Sequence, residues 1–182
     1  MVYFLMGASH TGKTLMAQRL LERMYVPAFS LDHLKMGLLR AGMLPYSVED
    51  DEAIERGMWP IVRELCKTVL ENRQNLLVEG CYIPFSWRHD FSAAEASEIR
   101  AACLVMTESY IRRHFAEVLS HANAIERRKV DAFCPMEEFL AENARNARLC
   151  RAHAIPIVEI SETYEIEKIE EKLEALFTSP HF

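Results

Sequence analysis

Glycine is scarce in this chain, six in 182 residues, and there is no internal repeat, low-complexity segment or linker. The five cysteines, Cys66, Cys81, Cys103, Cys134 and Cys150, include no C-x-x-C pair. An odd set without metal or disulfide spacing suggests reduced thiols in a cytoplasmic protein, and a zinc site is not expected. No apolar run approaches the roughly 20 residues needed to cross a bilayer. The opening "MVYFLMG" has no basic leader, so it does not read as a secretory signal. Positive charge is short as well: 21 Lys and Arg face 27 Asp and Glu, a formal net charge of -6. That balance argues against a nucleic-acid binder working by broad electrostatics, although a local basic pocket for a small anion remains compatible with it. What is present is ordinary globular composition, 50% hydrophobic and 26% charged. The length fits one domain, residues 1–182, with a core large enough to be stable alone.

Five short apolar runs recur, each followed by a longer helical pattern. They are "VYFLMG", "PAFSLD" (27–32), "NLLVEG" (75–80), "RAACLVMT" (100–107) and "IPIVEIS" (155–161). Runs of this length predict strands buried on both faces. Alternation with helices predicts right-handed crossovers and an α/β three-layer sandwich with a parallel sheet. After Gly12, the residues Met16, Leu20 and Met24, flanked by Ala17 and Leu21, predict one buried helix face. Near the end, Ile166, Ile169, Leu173, Leu176 and Phe177 form a stripe, with the charges around it, Glu170 among them, read as a solvated face. Two stretches exceed the minimal core. One, about 47–74, is a long helical pattern interrupted at Gly57 and Pro60. The other, about 111–150, has a basic cluster in its middle. Both follow strands at the carboxyl side, where open α/β sheets bind ligands.

Two of the six glycines, Gly7 and Gly12, stand five apart and lead directly into Lys13 and Thr14. The pattern G-x-x-x-x-G-K-[ST] arises by chance in a chain this long with a probability of roughly 1%. Here it also follows a predicted strand and opens a predicted helix, the context a phosphate-binding P-loop requires. The run Gly7, Ala8, Ser9, His10, Thr11, Gly12, Lys13 and Thr14 is read as the nucleotide site, with no catalytic role for His10. Glycines let backbone N–H groups wrap a phosphate at the positive end of a helix. Lys13 would reach the terminal phosphates, and the Thr14 hydroxyl would hold Mg²⁺. The expected ligands are therefore ATP and Mg²⁺. A GTPase should carry N-K-x-D and D-x-x-G runs; neither is present.

Transfer of a γ-phosphoryl group to an alcohol asks for one carboxylate to orient or deprotonate the hydroxyl and another to hold Mg²⁺, usually through water. Asp32, beyond the second predicted strand, and Glu79, at the end of the third, stand where such groups are needed. Asp32 would equally cap a helix beginning at His33, and the two roles can coexist. His33 and Lys35 lie nearby as acceptor contacts or as exposed helix residues. Trp59, Trp87, Tyr82 and Phe85 are read either as lining of the acceptor pocket or as core. In the second excess stretch, Arg112, Arg113, Arg127, Arg128 and Lys129 form a local basic patch. Arginines on a closing lid would neutralise the transferring group, and Arg113 and Arg127 are the ones favoured. Pairing with Glu117, Glu126 and Glu142 on the surface is the alternative.

This layout resembles, over essentially the whole chain, the adenylate-kinase-like group of nucleotide and small-molecule kinases. The resemblance implies a five-stranded parallel sheet of order 2-3-1-4-5, an acceptor-binding insertion at about 33–74 and a lid at about 111–135. Carboxylates at Asp32 and Glu79 look like the zeta-toxin, chloramphenicol-phosphotransferase and 2-phosphoglycerate-kinase branch. There the first accepts the proton of the acceptor hydroxyl and the second serves the metal or the substrate. "EGCYIP" is similar to the E-G-x-H-x-x-P run of 2-phosphoglycerate kinases, with Tyr82 in place of the histidine and Pro84 one residue closer. The resemblance also implies phosphate- or base-contacting roles for Arg145 and Arg148, and it places "SETY" (161–164) near the purine.

The resulting expectation is a phosphotransferase moving the γ-phosphate to a hydroxyl or phosphate of a small molecule, with no nucleic-acid or membrane partner. The alternatives are a nucleoside or nucleoside-monophosphate kinase, in which Arg40 would hold an acceptor phosphate, and a non-catalytic or toxin-like nucleotide-binding protein. Oligomeric state is not legible in the sequence.

Overall fold

The computed structural model describes residues 1–120 and 135–179. Its elements are β1 (Val2–Gly7), α1 (Lys13–Met24), β2 (Ala28–Ser30), α2 (Leu31–Arg40), α3 (Asp51–Glu71), β3 (Leu76–Glu79), α4 (Ala93–Ser97), β4 (Ile99–Met106), α5 (Glu108–Ser120), α6 (Met136–Ala152), β5 (Ile157–Ile160) and α7 (Ile166–Thr178). The strands pair in parallel in the order β2-β3-β1-β4-β5. This is the expected sheet, flanked by helices on both faces.

Alternation along β1 divides the core. Val2, Phe4 and Met6 point to one face, Tyr3 and Leu5 to the other, as the two-residue repeat of a strand requires. The first face carries α2 and α3 and an aromatic cluster. Phe4 meets Trp87 with ring centroids 5.3 Å apart, and Trp59 and Trp87 both pack on Phe91 at 6.4 and 6.2 Å. Trp59 and Trp87 are thus core residues. Tyr82 is buried with them, and Phe85 packs against the cluster from a partly buried position. The second face carries α1, α5 and α7 over Leu5, Ala102, Leu104 and Val158.

Several elements depart from the sequence expectations. Only the inner strands are buried on both faces: β1 is buried throughout, whereas β2 is exposed or half-buried and β5 exposes Glu159. The reason is position, since β2 and β5 are the two edges of the sheet. Leu31 and Asp32 belong to α2 rather than to the strand, and the N-cap is Ser30. Asp32 is therefore a first-turn residue and does not cap a helix starting at His33. The long helix α3 is continuous through Gly57 and Pro60. The proline removes one backbone donor, but Ile54, Met58, Trp59, Val62 and Cys66 around it are buried against the sheet and hold the axis.

Leu21 of α1 is exposed, while Met16, Ala17 and Leu20 make the contact. Glu170 is 5% exposed, not solvated. It faces α1, where the Arg19 guanidinium donates to it at 2.7 Å and Arg23 approaches to 3.8 Å. Two cations offset the cost of burying that carboxylate. Helix α4 was not expected, although Ser92 and Glu95 form a complete capping box around its first turn. No described helix is long and apolar enough to cross a membrane. Of the lid expected at about 111–135, α5 up to Ser120 and Pro135 are described. Arg127, Arg128, Lys129 and Cys134 lie outside the described residues.

Candidate functional site

The carboxyl ends of β1 and β3 lie side by side, with Leu5 in register with Glu79. The glycine-lysine loop leaves β1 there. Gly7 has φ +149, and a Cβ on it would stand 2.8 Å from the Leu104 carbonyl oxygen of β4. Gly12 caps α1 with φ +87, a left-handed conformation in which a side chain is strained. Between them the chain turns back on Ala8. That carbonyl accepts from the Thr11 N–H at 3.4 Å, the Thr11 hydroxyl at 2.8 Å and the Lys13 ammonium at 2.7 Å. The His10 ring leans on Phe139 of α6 with centroids 6.5 Å apart. His10 itself has φ +60.

Lys13 is only 6% exposed. Burial works against its charge, but Cys81, Glu79, Asp32 and Glu142 outweigh it and raise the pKa above the ordinary lysine value. Burial pushes the Cys81 thiol up as well. At neutral pH that thiol is uncharged, so the three carboxylates supply the field that keeps Lys13 an ammonium. Next to it, the Thr14 hydroxyl donates to Glu79 Oε1 at 3.3 Å. Glu79 is 1% exposed. The structure thus brings Glu79 to Lys13 and Thr14, although Thr14 and Glu79 stand 65 residues apart in the sequence.

Asp32 lies in the same group. Its charge acts on Lys13, Cys81 and Tyr82 alike. One turn further along α2, Lys35 is buried. Its ammonium donates to Asp51 Oδ1 at 3.2 Å and to the Tyr82 hydroxyl, while that hydroxyl donates to the same Asp51 oxygen at 2.7 Å. Burial, followed by the bond to Asp51, raises the Tyr82 pKa, so the phenol stays neutral and keeps its proton. This closed triangle joins α2, the start of α3 and the loop after β3. Lys35 and Tyr82 were candidates; Asp51 was not, because nothing local in "VEDDEA" marks it.

Helix α6 supplies Glu142, which the sequence reading placed only as a surface partner for arginine. Burial raises its pKa, and the Lys13 charge and a hydrogen bond from the Ser9 N–H lower it. Its carboxylate therefore lies against the glycine-lysine loop. Arg145, exposed on the same helix, acts on Glu142 and on Glu55 of α3. Arg148 is exposed one turn beyond. Arg113 of α5 donates to its own-helix Ser109 carbonyl at 3.1 Å and, at 3.1 Å, to the Ser161 carbonyl that follows β5. Arg112 pairs with Glu108 at 2.9 Å and with Glu137 at 3.4 Å. Arg40 ends α2, exposed and about 12 Å along the helix axis from Asp32 at 1.5 Å per residue. It stands apart from the group around Lys13.

The oxygen donors suit Mg²⁺, a hard cation that keeps several waters and binds through one or two protein groups plus phosphate. Thr14 and Glu79 fit that description. Among the described residues no group of three or more His, Cys, Asp or Glu would hold a metal without such help.

No protein-family model matches the chain, and no curated protein matches it in sequence. Solved structures do match in fold. A gluconokinase from Sinorhizobium meliloti superposes with a TM-score of 0.56 at 15% identity, covering 97% of this chain and 90% of the other. A shikimate kinase from Acinetobacter baumannii in complex with shikimate gives 0.58 at 16% identity, over 96% and 91%. A sugar kinase from Janibacter gives 0.56 at 14% identity, over 98% and 95%. At such identities the likeness is one of architecture, and it extends over nearly the whole chain: a five-stranded parallel sheet of order 2-3-1-4-5 flanked by helices.

Proposed function

We propose that the protein is an ATP- and Mg²⁺-dependent phosphotransferase that moves a γ-phosphoryl group to a hydroxyl of a small molecule. The reading belongs with the branch that includes zeta-toxins, chloramphenicol phosphotransferases and 2-phosphoglycerate kinases. The observation that carries it is the meeting of the Thr14 hydroxyl and the Glu79 carboxylate at 3.3 Å beside a buried Lys13. A glycine turn with an incidental lysine has no need of a carboxylate there.

In this reading the loop from Gly7 to Thr14 binds the phosphate tail through its N–H groups. The Lys13 ammonium, docked on the Ala8 carbonyl in this structure, supplies positive charge to the terminal phosphates. Thr14 and Glu79 would hold Mg²⁺, which when bound neutralises charge on the transferring group. Asp32 accepts the proton of the acceptor hydroxyl, a role supported by its charge reaching both Lys13 and Tyr82. The acceptor itself lies over the triangle of Lys35, Asp51 and Tyr82. Arg113, Arg127, Arg145 and Arg148 are proposed contacts for phosphates or base. The kinases that share the fold are named for gluconate, shikimate and sugars, all of which offer a hydroxyl. An acceptor phosphate is less well served, because Arg40 stands at the far end of α2.

ADP release measured with sugars, sugar acids, phosphoglycerate, nucleosides and nucleoside monophosphates tests the proposal. Turnover with an alcohol and not with monophosphates supports it. Turnover with monophosphates alone would replace it by the nucleotide-kinase reading, and nucleotide binding without any turnover by a non-catalytic one. With the acceptor found, Asp32→Asn should lower kcat at least about 10²-fold if the carboxylate takes the proton. An unchanged rate removes that role.

A further inference from the structure

Tyr164 lies in the segment between β5 and α7, and its hydroxyl donates to the Thr11 carbonyl across 153 residues of sequence, at 3.2 Å. The same hydroxyl sits beside Gly12, where a Cβ would come within 1.9 Å of the phenol oxygen and 2.9 Å of the ring carbon bearing it. Glycine at position 12 is thus required for a second reason besides its φ: the tyrosine takes the space. The ring packs against the core on the α1 and α7 side, and burial raises the phenol's pKa, so the proton that makes the bond is retained.

Thr11 is held at both ends by different partners. Its N–H and its side-chain hydroxyl turn inward to the Ala8 carbonyl, where the Lys13 ammonium also sits. Its own carbonyl accepts from Tyr164. A trans peptide unit is planar, with C=O and N–H pointing to opposite sides, and the chain has no cis peptide bond among the described residues. Fixing the Thr11 carbonyl on Tyr164 therefore fixes the Gly12 N–H on the opposite side of the peptide plane, away from the tyrosine.

We infer that Tyr164 is a positioning residue for phosphate binding: its hydroxyl holds the Thr11–Gly12 peptide plane so that the Gly12 N–H faces the bound phosphate. The inference rests on reading residues 7–14 as a triphosphate loop. It differs from a role in holding the nucleoside, because the tyrosine acts on the loop backbone and its effect does not depend on a base. An N–H already aimed at the anion needs no reorientation on binding, which is the general advantage of a preorganised donor.

The test uses the full chain with Mg²⁺ and two ligands, ADP and inorganic tripolyphosphate, measured by calorimetry for wild type and Tyr164→Phe. The phenylalanine keeps the ring and removes only the hydroxyl. Affinity for both ligands should fall by the same factor, about fivefold for one lost hydrogen bond. A loss for ADP alone would assign Tyr164 to the nucleoside and overturn the inference; unchanged affinity for both would overturn it too. A wild type that binds neither ligand would instead sink the phosphate-loop reading, and the inference with it. Should the variant be too unstable to titrate, amide exchange in the wild type decides: tripolyphosphate must slow exchange at Gly12, and an unprotected Gly12 N–H refutes the assignment.

Discussion

In the proposed reaction the donor and acceptor sides would be built in different ways. On the donor side eight consecutive residues, Gly7 to Thr14, form the loop, and strand β1 and helix α1 present it as a unit. On the acceptor side Asp32, Lys35, Asp51 and Tyr82 come from two helices and a loop, and the hydrogen bonds that join the last three span 16, 31 and 47 residues. A phosphate tail needs several N–H groups in a row, which only contiguous backbone supplies. An alcohol needs a few side chains at chosen points, which any combination of elements can bring together. One side is therefore a motif and the other is an assembly, and the two should respond differently to substitution.

The largest expected effect is at the motif. Lys13→Ala should lower kcat for ATP about 10²- to 10³-fold, the range for removing a preorganised charge from a transition state. The melting temperature should stay within a few degrees, because Thr11 still satisfies the Ala8 carbonyl. Near wild-type turnover in a steady-state assay would end the distinction at its donor half.

A smaller effect is expected on the other side, and it should be selective. Tyr82→Phe removes the hydroxyl that links Lys35 to Asp51 while keeping the buried ring. The acceptor KM should rise about tenfold, as for one hydrogen bond to a charged partner, with the KM for ATP unchanged. Initial-rate kinetics varying each substrate separates the two constants. Equal changes in both would show that the sides are coupled.

The smallest effect sharpens the boundary between them. Burial holds the Glu142 carboxyl above its ordinary value. The protonated form is therefore the one the fold favours. That contribution is complete below the unfolded-state value and is lost as pH rises through the higher folded-state value. Glu142→Gln cannot ionise, so its gain in stability over wild type should be near zero at pH 4 and largest at pH 8. Thermal melts across that range check it. A gain that shrinks with rising pH would contradict the burial.

Much of this architecture was legible. The parallel sheet followed from apolar runs alternating with helices, and the loop from its spacing. Asp32 and Glu79 stood out because they follow strands. Other features escaped for physical reasons. Pro60 marked a break that the buried flank of α3 overrides. Glu170 read as solvated because its two arginine partners sit on α1, far away in sequence. Asp51, Glu142 and Tyr164 carry no local signature, since each acts on a residue supplied by a different element. Helix α4 is the exception: Ser92 and Glu95 spelled its start, and the short helix between β3 and β4 was still missed.

In the proposed reaction, the carboxylates whose charge reaches Lys13 also bear on how nucleotide would arrive. Asp32, Glu79 and Glu142 set negative charge against Lys13 in a chain whose formal net charge is -6, so an incoming polyphosphate would meet repulsion before it meets the ammonium. Dissolved salt should screen that repulsion, and encounter should quicken with ionic strength, the reverse of the trend for an electrostatically steered ligand. The barrier is steeper for the free nucleotide than for its magnesium complex, which carries less charge. Discrimination between the two can thus begin during diffusion, before any contact with the loop.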